Sequence, residues 1–442
     1  MGMSELPSGW VEGPLGEVAD FVMGQAPSAS DCNTDGVGTV FVKAGEFRNI
    51  KPVVREWTTH PLKHAQDGDI LICVVGATAG KINLGIDCAI GRSVAAVRPS
   101  HEVSQKFIYY FLAGMVKSLR QGSTGSAQGV ISKPDLAAIK IPMAPPAEQI
   151  RIAVKLDEVI AQVDTIKARI DRITTLLKRF RQSVLAAAVS GRLTKNTESS
   201  DLPSGWQLVK FSSVVSDLRY GTAQKCDYNG GEIGVLRIPN IGDNGIRLND
   251  LKSSSFSPAE INKLSLKKGD VLLIRSNGSV ELVGKSAVVG AREEGLLFAG
   301  YLIRIRPNPE KAIAEYVNYW LKSPAVRQTI EMTARSTSGV NNINSEEIKS
   351  LIFTMPPPSE QIEIVNRVEQ LFAMADQLEA RVASAKNRID HLTQSILTKA
   401  FRGELVPQDP NDEPASVLLE RIKAQRASAP KAKRGRRITT LG

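Results

Sequence analysis

Two near-identical phrases, PPAEQI at Pro145–Ile150 and PPSEQI at Pro357–Ile362, stand 212 positions apart, and from them onward the two halves of the chain keep that offset. IKAR at Ile166–Arg169 answers LEAR at Leu378–Arg381, and SVLAAAVSGRL at Ser183–Leu193 answers SILTKAFRGEL at Ser395–Leu405. Upstream the offset drifts. LPSGW at Leu6–Trp10 recurs at Leu202–Trp206 after 196 positions, and GDILI at Gly68–Ile72 matches Gly269–Ile274 at 201. A drifting offset is the mark of loops that accept insertions. A constant one is the mark of helices, in which one added residue turns every later side chain off its face. A unit of roughly 200 residues is far longer than a solenoid repeat, so the chain is a duplicated domain pair.

The constant segments carry a helical seam. Leu156, Val159, Val163, Ile166, Ile170, Ile173, Leu177, Phe180 and Val184 alternate spacings of three and four, which is a heptad pattern. Adding 212 gives Val368, Leu371, Ala375, Leu378, Val382, Ala385, Ile389, Leu392 and Ile396. Proline pairs block any earlier helix, and Gly191 and Gly403 stop each one. Two such apolar stripes are expected to cover each other. With the order globule, helix, globule, helix and a pseudo-twofold relation between halves, they pair antiparallel. The seam from Leu156 to Val184 would be about 43 Å long at about 1.5 Å per residue.

Each front unit alternates short apolar runs with glycine-rich turns: TVFVKA, DILICVV and AAVRP in the first, GVLRIPN, DVLLIRS and YLIRIRP in the second. Each then has one aromatic-rich helical stretch, SQKFIYYFLAGMVKSL or IAEYVNYWLKSPAVRQTI. The predicted fold is α+β: two mainly β domains separated by two long antiparallel coiled-coil helices, with an internal pseudo-twofold repeat. The expected division is 1–145, helix 146–193, 194–356, helix 357–405, and a C-terminal segment 406–442 whose basic end reads as disordered.

Several functional classes are disfavoured by residue pattern. No run of eighteen apolar residues suggests a membrane span, and the first residues do not read as a secretory signal, so a cytoplasmic location is expected. Cys32, Cys73, Cys88 and Cys226 form no CxxC pair, and Cys73 lies in an apolar run where a packed, inert thiol is expected. His60 and His64 stand four apart without an acidic or cysteine partner, so no metal site is expected. GATAGK and GSVELVGKS have the wrong spacing for a phosphate-binding loop, and strand rather than helix should follow. No catalytic motif emerges. The formal charge of +10 favours an anionic partner.

Three polar loop pairs recur at matching places: Lys43–Lys51 with Arg237–Gly245, Val75–Lys81 with Arg275–Lys285, and Ser123–Gly129 with Arg335–Asn342. Their Arg, Lys, Asn, Gln and Ser side chains suit phosphates and base edges. Together with LPSGW opening each half, PPxEQxxI leading into each heptad helix and SILTKAFRGEL closing the second, the chain resembles the specificity subunits of type I restriction-modification systems. The resemblance covers nearly the whole chain and is sharpest in the repeated helices. It implies two target-recognition domains that each read half of a bipartite DNA site, and helices that dock two methyltransferase (M) subunits, with restriction/translocase (R) subunits joining them. It also implies a non-catalytic subunit without cofactors, S-adenosylmethionine, ATP and Mg being expected on the partner subunits.

Because the family's recognition domains vary, the site residues come from the loop pattern. Arg48, Asn49, Ser126 and Gln128, and Asn240, Asn244, Asn277, Asn341 and Asn342, are expected to read bases. Lys43, Lys81, Arg237, Arg275, Lys285 and Arg335 are expected on phosphates, with Ser123, Thr124 and Ser336 as further DNA contacts. Leu156, Val163, Ile170, Leu177, Val184, Val368, Leu378, Val382, Ile389 and Ile396 are expected to form the partner-binding helix seam. The competing reading is a coiled-coil adaptor with nonspecific affinity for nucleic acid.

Overall fold

The computed structural model describes residues 6–124, 130–194, 202–334 and 340–428. Its contacts divide the chain into two compact units, Met1–Arg169 with Ala385–Gly442, and Ile170–Ser384. The mixed helix-and-sheet fold and the repeat expected from the sequence are both present. No helix among the described residues is long and apolar enough to cross a membrane.

In the first unit a four-stranded antiparallel sheet runs in the order Ala19–Met23, Val94–Pro99, Ile70–Cys73, Ile82–Leu84. The second unit repeats that order with Val215–Tyr220, Leu302–Pro307, Val271–Ile274 and Ser286–Val288. Strands Ile70–Cys73 and Val271–Ile274 read as continuous apolar runs because both faces are covered. Ile70, Ile72, Ala95 and Val97 pack with Phe107, Ile108 and Phe111 of helix Gln105–Thr124. Leu71, Cys73, Val94 and Ala96 on the opposite face pack with Val42 and Ile90 of a second, mixed sheet. In the second unit, Val271, Leu273, Ile303 and Ile305 face the helices, while Leu272, Ile274 and Leu302 join Val235, Leu297 and Phe298. The aromatic-rich stretch here is two helices, Ala314–Lys322 and Pro324–Ala334. Pro324 lacks the N–H needed to continue the first.

The long helices span Pro146–Ser190 and Pro358–Ala400. At about 1.5 Å per residue each is roughly 65 Å long or slightly more. In the first unit Lys167 pairs with Asp390 at 2.9 Å, while the earlier Leu156 shares a core with the later Leu397 and Ala400. In the second unit Arg181 contacts Asp376 at 2.6 Å, and Thr194 donates to Glu360 at 2.8 Å. Numbers rise on one helix as they fall on the other, so the pairing is antiparallel within each unit.

The seam is narrower than its spacing suggests. Leu156, Val163, Ile170, Leu177 and Val184, one seat per heptad, are buried, whereas Ile166, Ile173 and Phe180 remain 45%, 40% and 36% exposed. A helix with one helical neighbour covers one stripe, and the alternate seats fall at its margin. On the second helix Val368 and Ala375 are buried, Leu378, Val382, Ile389 and Ile396 are half-buried, and Leu392 is exposed.

The repeated phrases are fastenings. Buried Gln149 donates to Ala144 O at 2.9 Å and accepts from Ser104 N at 3.1 Å, tying the long helix to the residue that precedes helix Gln105–Thr124. Buried Gln361 donates to Pro356 O and Lys311 O and accepts from Ile313 N at 3.0 Å, at the start of Ala314–Lys322. The indole of Trp10 donates to Glu148 at 3.0 Å, and burial pushes the Glu148 carboxyl above its ordinary value. Gly191 and Gly403 end the long helices with φ of +79° and +72°, and each backs onto an LPSGW proline, Pro203 or Pro7. A Cβ would lie 2.3 Å from Pro203 Cγ at the first and 2.4 Å from Pro7 Cγ at the second.

One element was not expected from the sequence. Ala415–Ser428 is a helix that buries Ala415, Leu418, Leu419 and Ile422 in the first unit's core. Arg421 bridges Glu102 and Glu413, and Arg426 donates to Gly16 O at 2.6 Å. The basic end expected to be disordered, 429–442, lies outside the described residues.

Candidate nucleic-acid interface

Described parts of the recurring loops and the residues next to them meet at equivalent places in the two units. In the second unit Ser276–Asn277 pairs antiparallel with Asn341–Asn342, joining the second loop to the third. In the first unit the isolated bridge Val75↔Val130 makes the same junction. The first loop joins as well. Lys285 Nζ lies 2.8 Å from the Asp243 carboxylate, and the buried Asn83 side chain holds both Arg48 N and Arg48 O.

Within the first loop, backbone closure uses some of the expected readers. Glu46 accepts from Lys43 N at 2.8 Å, and at the equivalent turn Asn240 accepts from Arg237 N at 2.8 Å. Asn240 is buried and also donates to Arg247 O and Asn249 O. It closes its loop and has no edge to offer a base, which corrects the expectation for this residue. Lys43 is ion-paired with Glu56, whose hydrogen bond holds the ammonium pKa above its ordinary value. Arg237 is bound to Asp250 at 3.1 Å. Arg48 is exposed and curls back onto Gly45 O and Phe47 O, and Asn49 is exposed beside it. Asn244 is exposed at a hairpin tip between Ile241–Gly242 and Gly245–Ile246.

Neither glycine-lysine loop leads into a helix. Strands Ile82–Leu84 and Ser286–Val288 follow. Gly80 and Gly284 adopt φ of +83° and +81°, and added Cβ atoms would lie 2.9 Å from Val116 O and 2.6 Å from Ile330 Cγ2. These glycines allow close packing on a helix. Lys81 is exposed. Ser123 and Thr124 end helix Gln105–Thr124, whereas Ser126, Gln128, Arg335 and Ser336 lie outside the described residues.

Arg275 is held at its Nε end and over a ring. Its Nε donates to Gly300 O at 2.9 Å, and its guanidinium lies 4.6 Å from the Tyr220 ring centroid. Asn277 Oδ1 accepts from Ser279 N at 2.9 Å, and Asn341 Nδ2 donates to Gly278 O at 3.0 Å. Asn342 is exposed. Nearby, burial lowers the Lys322 pKa to about 8, and its Nζ donates to Asp243 O at 3.0 Å.

Four surrounding residues were not singled out from the sequence: Tyr220, Tyr301, Lys322 and Arg92. Tyr301 is 62% exposed. Arg92 stands at the rim of an open cleft of about 760 Å³ in the first unit, next to Ser93, Lys43 and Asn33. They share no sequence signal: Tyr220 closes strand Val215–Tyr220, Tyr301 precedes strand Leu302–Pro307, Lys322 closes helix Ala314–Lys322, and Arg92 follows strand Cys88–Ile90.

The seam residues expected to bind partners are turned inward. Leu156, Val163, Ile170, Leu177, Val184 and Val368 are buried within the chain, and Leu378, Val382, Ile389 and Ile396 are half-buried along the same pairing. The helices leave other residues exposed. In the first unit the exposed ones include Val154, Ile166 and Leu392; in the second they include Ile173, Leu176 and Met374. Among the described residues no group of three His, Cys, Asp or Glu side chains could hold a metal. Burial pushes the thiol pKa values of Cys73 and Cys88 up to about 12.

The family described as type I restriction modification DNA specificity domain matches residues 7–175 and 203–385, one match in each repeat. The chain is 34% identical over 457 residues to the type I restriction enzyme EcoKI specificity subunit of Escherichia coli K12, covering 97% of this chain and 98% of that one. It is also 34% identical to the StySPI specificity subunit of Salmonella potsdam, covering 97% of each chain. Among solved structures it resembles a chain described in connection with complex assembly and conformational transition of the type I R-M system. That match has a TM-score of 0.68 at 19% identity, over 91% of this chain and 100% of that one. The HsdS subunit from Thermoanaerobacter tengcongensis gives a TM-score of 0.52 at 20% identity, over 91% of this chain and 99% of that one.

Proposed function

The chain belongs to the specificity subunits of type I restriction-modification systems, non-catalytic subunits of DNA target recognition, and from that premise we propose that it reads a bipartite double-stranded site. Each unit reads one block, and the base pairs between the blocks are unread. The observation that carries this reading is the repetition of one sheet order in both units, with the same strand junction beside polar loop residues in each, Ser276–Asn277 with Asn341–Asn342 and Val75 with Val130. One scaffold used twice with different loop residues suits two different short sequences.

The long helices set the distance between the blocks. Their seam, about 43 Å from Leu156 to Val184 at about 1.5 Å per residue, exceeds one turn of DNA, about 34–36 Å. Two methyltransferase subunits dock on the outer faces of the helices, where Ile166, Ile173 and Leu176 remain exposed. Restriction/translocase subunits join that assembly. Adenine methylation, with S-adenosylmethionine, and cleavage, with ATP and Mg, belong to those partners.

The phosphate contacts fall to Lys81 and Lys285 among the described residues, and the base contacts to Arg48, Asn49, Asn244, Asn277, Asn341 and Asn342. Selection from randomised duplexes by the full chain, alone and with its cognate methyltransferase subunit, tests the proposal. Two short preferred blocks separated by a fixed number of random base pairs support it. One continuous block, or enrichment without sequence preference, overturns it.

A further inference from the structure

We infer that Arg275 is a base-reading residue of the second unit, held ready for a guanine edge, and that Tyr220 is its positioning residue. The inference rests on the proposed reading of DNA by each unit, and it gives Arg275, expected from the sequence on a phosphate, a place among the specificity contacts.

The backbone of Arg275 is fixed on both sides. Its N–H donates to Tyr301 O at 2.9 Å, and its carbonyl accepts from Ile343 N at 2.9 Å. The side chain is fixed too. Nε donates to Gly300 O at 2.9 Å, and the guanidinium stacks over Tyr220. Tyr220 is itself held, since its hydroxyl accepts from Ser345 N at 2.8 Å and donates to Ser345 Oγ at 3.1 Å. The two terminal nitrogens of Arg275 make no hydrogen bond or ion pair among the described residues. What remains free is the planar fork that matches guanine O6 and N7. Ser276–Asn277 and Asn341–Asn342 flank it, so further amide donors and acceptors stand at the same edge.

The first unit supplies an internal comparison. There Val74 N donates to Ser93 O at 2.9 Å and Val74 O accepts from Ile131 N at 2.9 Å, the same two backbone bonds that hold Arg275. Sheet register pairs Ala95 with Met23 where it pairs Ile303 with Tyr220. One backbone frame therefore carries Met23, Val74 and Ser93 in the first unit and Tyr220, Arg275 and Tyr301 in the second. The fold does not require an arginine here, because the first unit closes the same junction with a buried valine. A braced arginine present in one reader only is expected of a residue that sets one half-site. A phosphate contact gains little from such bracing, since a flexible lysine serves as a point charge.

The test compares the full chain with its Arg275→Lys and Tyr220→Leu variants, each with cognate methyltransferase subunit, by selection from randomised duplexes and by affinity over a salt series. Arg275→Lys keeps the charge and loses the fork. Discrimination at one guanine of the second block should fall by about 5- to 150-fold, with the salt slope unchanged and the first block read as before. Tyr220→Leu should weaken the same position by a smaller factor. The intact first block reports that each variant is folded and assembled. Retained discrimination at every position in Arg275→Lys overturns the inference, as does a loss equal across all sequences. If the unsubstituted chain itself shows no preference, it is the reading of DNA by this chain that fails.

Discussion

Replacing Gln361 with Ala tests whether the second repeated phrase is a fastening. Gln361 is fully buried, and its amide makes three hydrogen bonds, to Lys311 O, Pro356 O and Ile313 N. Ile313 precedes helix Ala314–Lys322, so its N–H has no intrahelical partner to replace the glutamine. Truncation strands one buried donor at about 1–3 kcal/mol and leaves two carbonyls underbonded in a small cavity. A total of about 3–5 kcal/mol is a large part of the roughly 5–15 kcal/mol that holds a domain. Hydrogen exchange read by mass spectrometry is the suitable assay, because unfolding of a two-unit chain need not be two-state. Protection should drop over 311–322 and the start of the second long helix, with the first unit unaffected. Gln149→Ala should produce the mirror effect around Ser104. A loss below about 1 kcal/mol, the net worth of one ordinary hydrogen bond, or equal loss in both units, would refute the reasoning.

Two further predictions concern stability. Leu177→Ala removes a buried seat of the helix pair and should cost about 2–5 kcal/mol, whereas Ile173→Ala at a half-exposed neighbour should cost clearly less; urea midpoints compare them. Lys322, at about 8 instead of its ordinary 10.5, is depressed by burial. Between those pH values the unfolded chain holds a proton the folded one lacks, so this group makes stability rise with pH. Stability curves of the native chain and of Lys322→Met should converge as pH rises from 8 to 10.5, and parallel curves would contradict the burial argument.

Much of this architecture was legible in the sequence because helices forbid insertions. The constant register marked both long helices, and alternating apolar runs marked the central strands. What escaped had physical reasons. Heptad spacing says which seats lie on one stripe, but not that a single neighbour buries only every seventh residue, so Ile166 and Ile173 were expected inside. Asn240 shares its letter with exposed Asn244, yet it does the backbone work that Glu46 does in the first unit, and composition cannot separate a loop-closing amide from an exposed one. The C-terminal helix was hidden by the charge around it, although Leu418, Leu419 and Ile422 have helical spacing. Arg275 was recognised as polar and basic. Its role depends on Tyr220, which is distant in sequence and reaches it only through strand register.

The proposal that the helices set the gap between the two DNA blocks is tested directly by deleting one heptad from each helix, in register. Seven residues shorten a helix by about 10 Å while nearly preserving its phase, which corresponds to roughly three base pairs at about 3.4 Å each. Methylation mapping in a host carrying the shortened chain should return the same two sequence blocks with a correspondingly shorter gap. Unchanged blocks with an unchanged gap would contradict the claim.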